Sequence, residues 1–406
     1  MDARKEAQRQ LSLLERGCEE VIPREGLLGK LERSIGTNTP LRVKLGIDPT
    51  SSNVHIGHMV PYGKLRQFQD LGHQAVLIIG DYTASIGDPT GRNTERPPLT
   101  LEQVKANAER YAEQIFRVVD ETRAEVRRQS EWYGNLSLAE ILKLAGTFSL
   151  AQLLAHETFR DRYEKGTRVG VHELLYPILQ AYDSVVIHAD VELGGTDQKF
   201  NILAGRDLMR DQGIEPQCAM LLPLLPGLDG RKMSKSFGND IPVTIGPDEQ
   251  FARVMAIADE YIVTYQKLIF LESAETCEAT ARRIESGENP MQMKLELASR
   301  IAERFNPSGS GELARTEWER RFSKKGNPAD IPSFACESAM DVCRLLREAG
   351  LTASSSEARR LVAEGAVFAN DVRLDDPCYA IDPAAIPAGG LCVRIGRRRY
   401  VRVVCL

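Results

Sequence analysis

No uninterrupted apolar run in these 406 residues is long enough to span a bilayer. The opening stretch, MDARKEAQRQLSLLERG, is charged and has no apolar targeting core, so the expected location is the cytoplasm, with no membrane partner. The eight cysteines (18, 218, 277, 336, 343, 378, 392 and 405) include no close CxxC pair. That argues against a zinc knuckle and provides no disulfide framework; most are expected to be reduced, small core residues. Internal repeats and low-complexity tracts are missing too. So is any overall excess of positive charge, since the formal net charge is -5. Nucleic acid is not thereby excluded. From Asp341 to Leu406 ten arginines face eight acidic residues, and five of those arginines fall in VRIGRRRYVR. On composition alone this cluster reads as a basic solvated edge.

What is present is ordinary for a soluble protein: 42% apolar and 27% charged residues, in a chain long enough for two or three domains. The first thirty residues read as helix. LRVKLGIDPT reads as a strand running into a turn, HIGHMVPYGKLRQFQDLG as a helix with an irregularity at Pro61, and AVLIIGD as a buried parallel strand. Strand, helix and strand in this order make a βαβ unit. Residues from Leu99 to about Arg160 read as mostly helical, broken near WYGNLSL, and a second half resumes at SVVIHADVELGGTDQ. The layout predicts a Rossmann-like α/β catalytic domain over 1–238, an open parallel sheet split by a helical insertion over about 99–175. Ligands in such sheets sit beyond the carboxyl ends of the strands. A helical domain over 239–335 comes next, and the polar, Pro/Gly/Ser-punctuated stretch that ends near residue 335 marks its boundary with a small α+β domain over 336–406.

Two short stretches invite chemistry. In HIGH, His55 and His58 lie three apart at an expected helix start, on one face. A shared metal needs a third ligand, and none lies close in sequence. A packed structural pair is a second reading. A third is that helix-start amides and two imidazoles converge on an anion, with Gly57 letting a nucleotide approach the backbone. In LDGRKMSKSFGND, Lys232 and Lys235 bracket small polar residues between Gly230 and Gly238.

HIGH followed by a distant KMSKS resembles the paired signatures of class I aminoacyl-tRNA synthetases. GIDPT, IGDPTGR, YPILQAYD and GGTDQ narrow the likeness to the bacterial tyrosyl branch, over nearly the whole chain. The resemblance implies two steps: L-tyrosine and ATP, with Mg2+, give tyrosyl-adenylate and pyrophosphate, and the tyrosyl group then passes to the terminal adenosine of tRNA(Tyr). It implies that Lys232 and Lys235 clamp the β- and γ-phosphates, that Thr50 and His55 face the terminal phosphates, and that His58 lies nearer the adenosine. Arg92 and Arg96 in GRNTER match a second basic loop. Gly195 and Asp197 would hold the ribose, and Gln198 the reacting carboxylate or α-phosphate. No dedicated protein cage for magnesium is read from the sequence.

For the amino acid, the resemblance assigns Tyr176, Gln180 and Asp88 to the ammonium, Asp183 to the phenolic hydroxyl, and Asp48 to the same pocket. Tyr176, Gln180 and Asp183 stand at i, i+4 and i+7, one face of a helix. Without the family, that spacing is more often a surface stripe with a core aromatic. Two departures stand out. Where many such enzymes carry a tyrosine that shares the phenol contact, this chain has Lys44, and Leu45 replaces a small polar or thiol residue. A lysine here either neutralises Asp183 or points away from it. Toward the carboxyl end, SSSEARRLVAEG and AVFANDVRL resemble a small RNA-binding module, which makes Arg359, Arg360, Arg397, Arg398 and Arg399 the expected tRNA contacts. The insertion implies a homodimer, while EWY at 131–133 reads equally as core. Three rivals remain: a tryptophanyl enzyme, a small adenylyl-cofactor nucleotidyltransferase and a non-catalytic RNA-binding relative. The first has no use for Asp183, the second has no slot like 176–183, and the third would have lost His55, Lys232 or Lys235.

Overall fold

The computed structural model describes residues 2–50, 53–90, 100–323, 331–370, 372–387, 389–396 and 399–405. The chain divides into two compact units, Met1–Gly311 and Glu312–Leu406. In the first, six strands form one sheet: β1 (Glu20–Ile22), β2 (Arg42–Ile47), β3 (Gln74–Ile79), β4 (Ala124–Arg128), β5 (Val191–Gly195) and β6 (Cys218–Leu222). Their order is β1-β6-β5-β2-β3-β4. β2 to β6 run parallel, as expected, while β1 pairs antiparallel with β6, which makes the sheet mixed. Chain order reverses between β2 and β5, so a crevice opens at their carboxyl ends. The HIGH segment leaves β2 there, and GGTDQ closes β5.

Several elements differ from the sequence expectation for local reasons. The amino-terminal region is two helices, Ala3–Leu14 and Arg24–Thr37, separated by β1. The turn after the first contains Gly17, whose φ of +74° favours glycine and whose added Cβ would meet the Lys267 carbonyl oxygen at 3.0 Å. The helix after β2 begins at Met59, not at HIGH. Pro61 therefore lies in its first turn, where no amide donor is needed and no kink follows. β4 runs inside the stretch expected to be helical, since AEVRR is a half-charged edge strand without a continuous apolar run. The Val171–Val186 helix consumes SVV, and β5 starts only at Val191.

The helices Pro247–Met255, Ile262–Ile269, Ala274–Glu285 and Met291–Phe305 belong to the first unit. Arg117 Nη1 ties them in by donating to the carbonyls of Val243 and Phe305, each at 2.7 Å. In the second unit, β7 (Ser333–Cys336), β8 (Met340–Asp341), β9 (Val367–Ala369), β10 (Val372–Arg373), β11 (Ala380–Ile381), β12 (Leu391–Ile395) and β13 (Arg399–Cys405) accompany the helices Val342–Glu348 and Ser355–Ala363. The main sheet there has the order β10-β9-β12-β13-β7. Leu345, Leu346, Val362, Val393 and Val403 form its core, giving the expected small α+β unit. Among the described residues no cysteine is in a disulfide, and Cys218, Cys277, Cys336, Cys343 and Cys392 are buried.

Candidate functional site

A two-rung backbone ladder joins the two signature segments. The Ile56 amide donates to the Ile241 carbonyl and the Val243 amide to the Val54 carbonyl, both at 2.9 Å, with His55 opposite Pro242. The turn after β2 is thereby fixed against the chain that follows KMSKS. Within it, the rings of His55 and His58 stack at 3.7 Å, and the His55 amide donates to His58 Nδ1 at 3.3 Å. That acceptor role puts the proton of neutral His58 on Nε2. Burial, assisted by the Lys232 charge, pushes His55 down to about 4. Burial likewise holds His58 well below the usual range, with His55 and Lys232 acting in the same sense. Both rings are neutral at pH 7 and offer polarised N–H groups rather than positive charge. An added Cβ at Gly57 would sit 3.0 Å from His55 Nδ1 and 3.4 Å from Met233 Cβ. Glycine here lets the two signatures pack together.

The KMSKS turn is pinned by Asn239. Its Oδ1 accepts from the Ser234 amide at 2.8 Å, and its Nδ2 donates to Asp229 Oδ1 at 2.5 Å and to the Lys232 carbonyl at 3.2 Å. Gly230 has φ +82°, and a Cβ there would strike the Tyr261 hydroxyl at 2.5 Å. Met233 is the buried anchor of the turn, while Lys232 and Lys235 stand at its exposed side. Lys232 Nζ pairs with Asp197 Oδ2 at 2.7 Å, so the expected phosphate clamp rests on the expected ribose ligand. Thr50 lies in the turn directly after β2, its amide bonded to the Asp48 carbonyl at 2.7 Å. Gly195 ends β5 immediately before the Thr196–Gln198 turn that carries Asp197 and Gln198.

Next to this lies a chain of polar contacts linking the carboxyl ends of β2 and β3 to the Val171–Val186 helix. Tyr176 donates its hydroxyl to Asp48 Oδ2 at 2.8 Å, and Thr83 Oγ1 donates to Asp48 Oδ1 at 2.7 Å. Gln129 Oε1 accepts from the amides of Tyr82 and Thr83 at 3.2 and 3.0 Å. Its NH2 is therefore turned to Asp183 Oδ2, at 2.7 Å. Trp132 Nε1 and the Tyr133 hydroxyl reach Asp183 Oδ1 at 3.2 and 3.3 Å. Burial raises Asp183 to about 7, against the opposing pull of Lys44 and the Gln129 hydrogen bond. Gln198 Nε2 donates to Asp88 Oδ2 at 2.7 Å, which brings the β5 turn to the loop after β3.

The expected residues Asp48, Tyr176, Gln180 and Asp183 thus surround one end of the sheet, beside the linked pair Asp88 and Gln198. Lys44 neither points away nor pairs with Asp183. It is fully buried and donates to the Gln180 carbonyl at 2.8 Å and to Ser184 Oγ at 2.7 Å, with Glu192 Oε1 at 3.0 Å. Sequence reasoning missed Gln129 and Glu192, and it left Trp132 and Tyr133 open between subunit interface and core. A tryptophan and a tyrosine in an otherwise polar stretch were the available signal. Arg92, Arg96, Arg397 and Arg398 lie outside the described residues. In the second unit, Arg359 and Arg360 are exposed on the Ser355–Ala363 helix, and Arg399 Nη1 is anchored on the Leu351 carbonyl at 2.7 Å. Among the described residues no group of three or more His, Cys, Asp or Glu side chains is arranged to hold a metal ion.

Comparison with known proteins bears on family and fold. Residues 37–323 match the family model "tRNA synthetases class I (W and Y)", and residues 324–403 match "Tyrosine--tRNA ligase SYY-like C-terminal domain". The chain is 46% identical over 400 residues to the tyrosine--tRNA ligase of Symbiobacterium thermophilum, covering 97% of each. It is 42% identical over 395 residues to tyrosine--tRNA ligase 2 of Vibrio cholerae, covering 97% of this chain and 98% of that one. Among solved structures, the tyrosyl-tRNA synthetase of Archaeoglobus fulgidus, complexed with L-tyrosine, superposes with a TM-score of 0.61 at 24% identity. That match covers 76% of this chain and 99% of the other, and it shows the shared fold.

Proposed function

The chain belongs to the class I tRNA synthetases for tryptophan and tyrosine, on the tyrosine side, and from this we propose how its residues carry out the reaction. The activity is tyrosine–tRNA ligation: ATP-dependent formation of tyrosyl-adenylate, then transfer to tRNA(Tyr). The observation that supports the reading of the site is the Lys232–Asp197 ion pair, which brings the KMSKS lysine to the β5 turn whose Gln198 bonds Asp88.

The substrate carboxylate is already a nucleophile, so no general base is needed. It attacks the α-phosphorus, the bond from that phosphorus to the α,β-bridging oxygen breaks, and pyrophosphate leaves with the electron pair. Catalysis then amounts to aiming the carboxylate and stabilising charge that moves onto the leaving group. Lys232 and Lys235 take the β- and γ-phosphates, with Thr50 and the N–H group of neutral His55 as fixed donors and His58 nearer the adenosine. For Lys232 to do so it must leave Asp197, which frees that carboxylate for the ribose. Both groups are partly exposed, so the ion pair is inexpensive to exchange. Arg92 and Arg96 add charge from their loop. Magnesium arrives with ATP as part of the substrate. Gln198 aims the carboxylate, and Asp88, Tyr176, Gln180 and Asp48 form the polar side of the amino-acid pocket. Asp183, already held by Gln129, Trp132 and Tyr133, accepts the phenolic hydroxyl. In the second step a ribose hydroxyl of the terminal adenosine attacks the tyrosyl carbonyl and AMP leaves.

The proposal extends to assembly. Leu138, Leu142, Leu150, Tyr163 and Val171 are large apolar residues more than half exposed, all within the insertion, a pattern that suits a homodimer interface. The working division is a catalytic region to residue 238, a helical region over 239–335 and an RNA-binding region over 336–406. In the last, Arg359, Arg360 and Arg397 to Arg399 contact tRNA phosphates. We place the reaction in the cytoplasm, where charged tRNA is used. Pyrophosphate exchange into ATP, assayed with all twenty amino acids, tests the reading: exchange is expected with tyrosine and is to be lost in Lys232→Ala. Stimulation by tryptophan, or by no amino acid, contradicts it.

A further inference from the structure

Behind the amino-acid pocket lies a buried ion pair that the reaction as described leaves unused. Lys44 on β2 and Glu192 on β5 are direct partners across parallel strands, and their side chains are 0% and 2% exposed. All three ammonium protons of Lys44 are taken, by the Gln180 carbonyl, Ser184 Oγ and Glu192 Oε1, so it has none to offer a phenol. Glu192 is equally committed. Its Oε1 also accepts from Gln180 Nε2 at 3.1 Å, and its Oε2 accepts from Ser184 Oγ at 3.1 Å and from Gln217 Nε2. Gly205 makes room for the cluster, because an added Cβ would lie 2.8 Å from Gln217 Nε2.

The consequence falls on Gln180. The same ion pair grips this residue twice: Lys44 holds its main-chain oxygen and Glu192 its side-chain nitrogen. A carboxylate can only accept, so the NH2 of the Gln180 amide must face Glu192. We infer that Glu192, backed by Lys44, is a positioning residue that turns the carbonyl oxygen of Gln180, rather than its NH2, toward the ammonium group of the amino acid. The inference rests on the reading of Gln180 as an ammonium ligand. It explains why a lysine can stand on β2 beside a phenol site: its charge is spent within the fold. With the amide reversed, Gln180 would present a donor to a cation that can itself only donate.

Two tyrosine fragments separate positioning from mere structure: tyramine, which keeps the amine, and 3-(4-hydroxyphenyl)propionate, which lacks it. Their inhibition constants against tyrosine in pyrophosphate exchange are measured for wild type, Glu192→Gln, Lys44→Met/Glu192→Gln and Gln180→Leu. Glutamine at 192 can donate as well as accept and so releases the amide. The double variant removes both buried charges and covers the case in which the single variant does not fold. Tyramine binding is expected to weaken ~10-fold to 100-fold in each variant, and the amine-free fragment by no more than about twofold. Equal loss for both fragments in the Glu192 variants, or no loss for either, overturns the inference. If Gln180→Leu weakens tyramine selectively while the Glu192 variants do not, positioning alone fails. If Gln180→Leu itself shows no selectivity, the reading of Gln180 fails and takes the inference with it.

Discussion

Around Asp183 and Glu192 the polar side chains are bonded to one another before any substrate is present, whereas around the triphosphate site the lysines stand exposed, Lys232 on an exchangeable ion pair. The amino-acid half is a closed network of buried groups: three donors on Asp183 and four on Glu192. The nucleotide half has two neutral, stacked histidines on a fixed ladder and two exposed cations on a turn anchored by Asn239, Met233 and the backbone of Leu225 to Gly227. The difference follows from what each half must do. Selecting tyrosine is a ground-state problem, and rigid acceptors discriminate because an ill-matched ligand leaves them unpaired. Stabilising a departing pyrophosphate is a transition-state problem, and charge that is too well satisfied at rest cannot follow the reaction.

This contrast can be broken at either half. The largest effect is expected at the phosphates: Lys232→Ala and Lys235→Ala each lower single-turnover adenylate formation by ~10²–10³-fold. Selectivity comes next. A site built around a hydroxyl rejects its deoxy analogue by up to ~10⁵, a magnitude established for tyrosine-specific synthetases rather than obtained from this structure. Asp183→Asn is expected to narrow the tyrosine-to-phenylalanine ratio of kcat/KM by ~10-fold to 100-fold. An unchanged ratio would move hydroxyl recognition elsewhere. Gly230→Ala, with its positive φ and its clash with Tyr261, is expected to cost about 1–3 kcal/mol in thermal unfolding.

A smaller, graded effect is expected with pH. Asp183 is raised to about 7, so the charge-assisted acceptor forms only as pH climbs through that value, and tyrosine should be favoured more strongly above it. Lys44 lowers the Asp183 midpoint and Glu192 raises it, so Lys44→Met moves the titration to higher pH and Glu192→Gln to lower pH. The sign for folding is opposite. A carboxyl whose folded value lies above its unfolded one contributes stability that is full below the unfolded value near 3.8, and this is lost as pH rises through about 7. Selectivity above pH 7 is therefore gained against fold stability. The smallest effects belong to the second unit. Arg359→Ala or Arg360→Ala should each flatten the salt dependence of tRNA binding by roughly one unit of slope or less, without changing pyrophosphate exchange.

Legibility in the sequence followed the same divide. β2 announced itself by apolar alternation and β3 and β6 as apolar runs, and HIGH and KMSKS marked the nucleotide half because its groups sit in short contiguous turns. β1 and β4 went unseen: one is three residues long, and the other is an edge strand carrying Glu125, Arg127 and Arg128. The amino-acid half was legible only where a helix gathers Tyr176, Gln180 and Asp183 on one face. Gln129 and Trp132 come from the turn after β4 and Glu192 from β5, and only the sheet order brings them to that helix. Lys44 illustrates the limit. Alternation along β2 puts it on the face opposite Val43, Leu45 and Ile47, and the partner that lets it be buried there lies on β5, beyond the reach of local pattern.

The most direct test of the contrast is the equilibrium dissociation constant for tyrosine, measured without ATP in wild type and in the Lys232→Ala/Lys235→Ala double variant. If the amino-acid half is complete before the nucleotide half engages, the two constants agree within about twofold. A tenfold or greater loss of tyrosine affinity in the double variant would mean that the lysines help build the tyrosine pocket, and the account would fail.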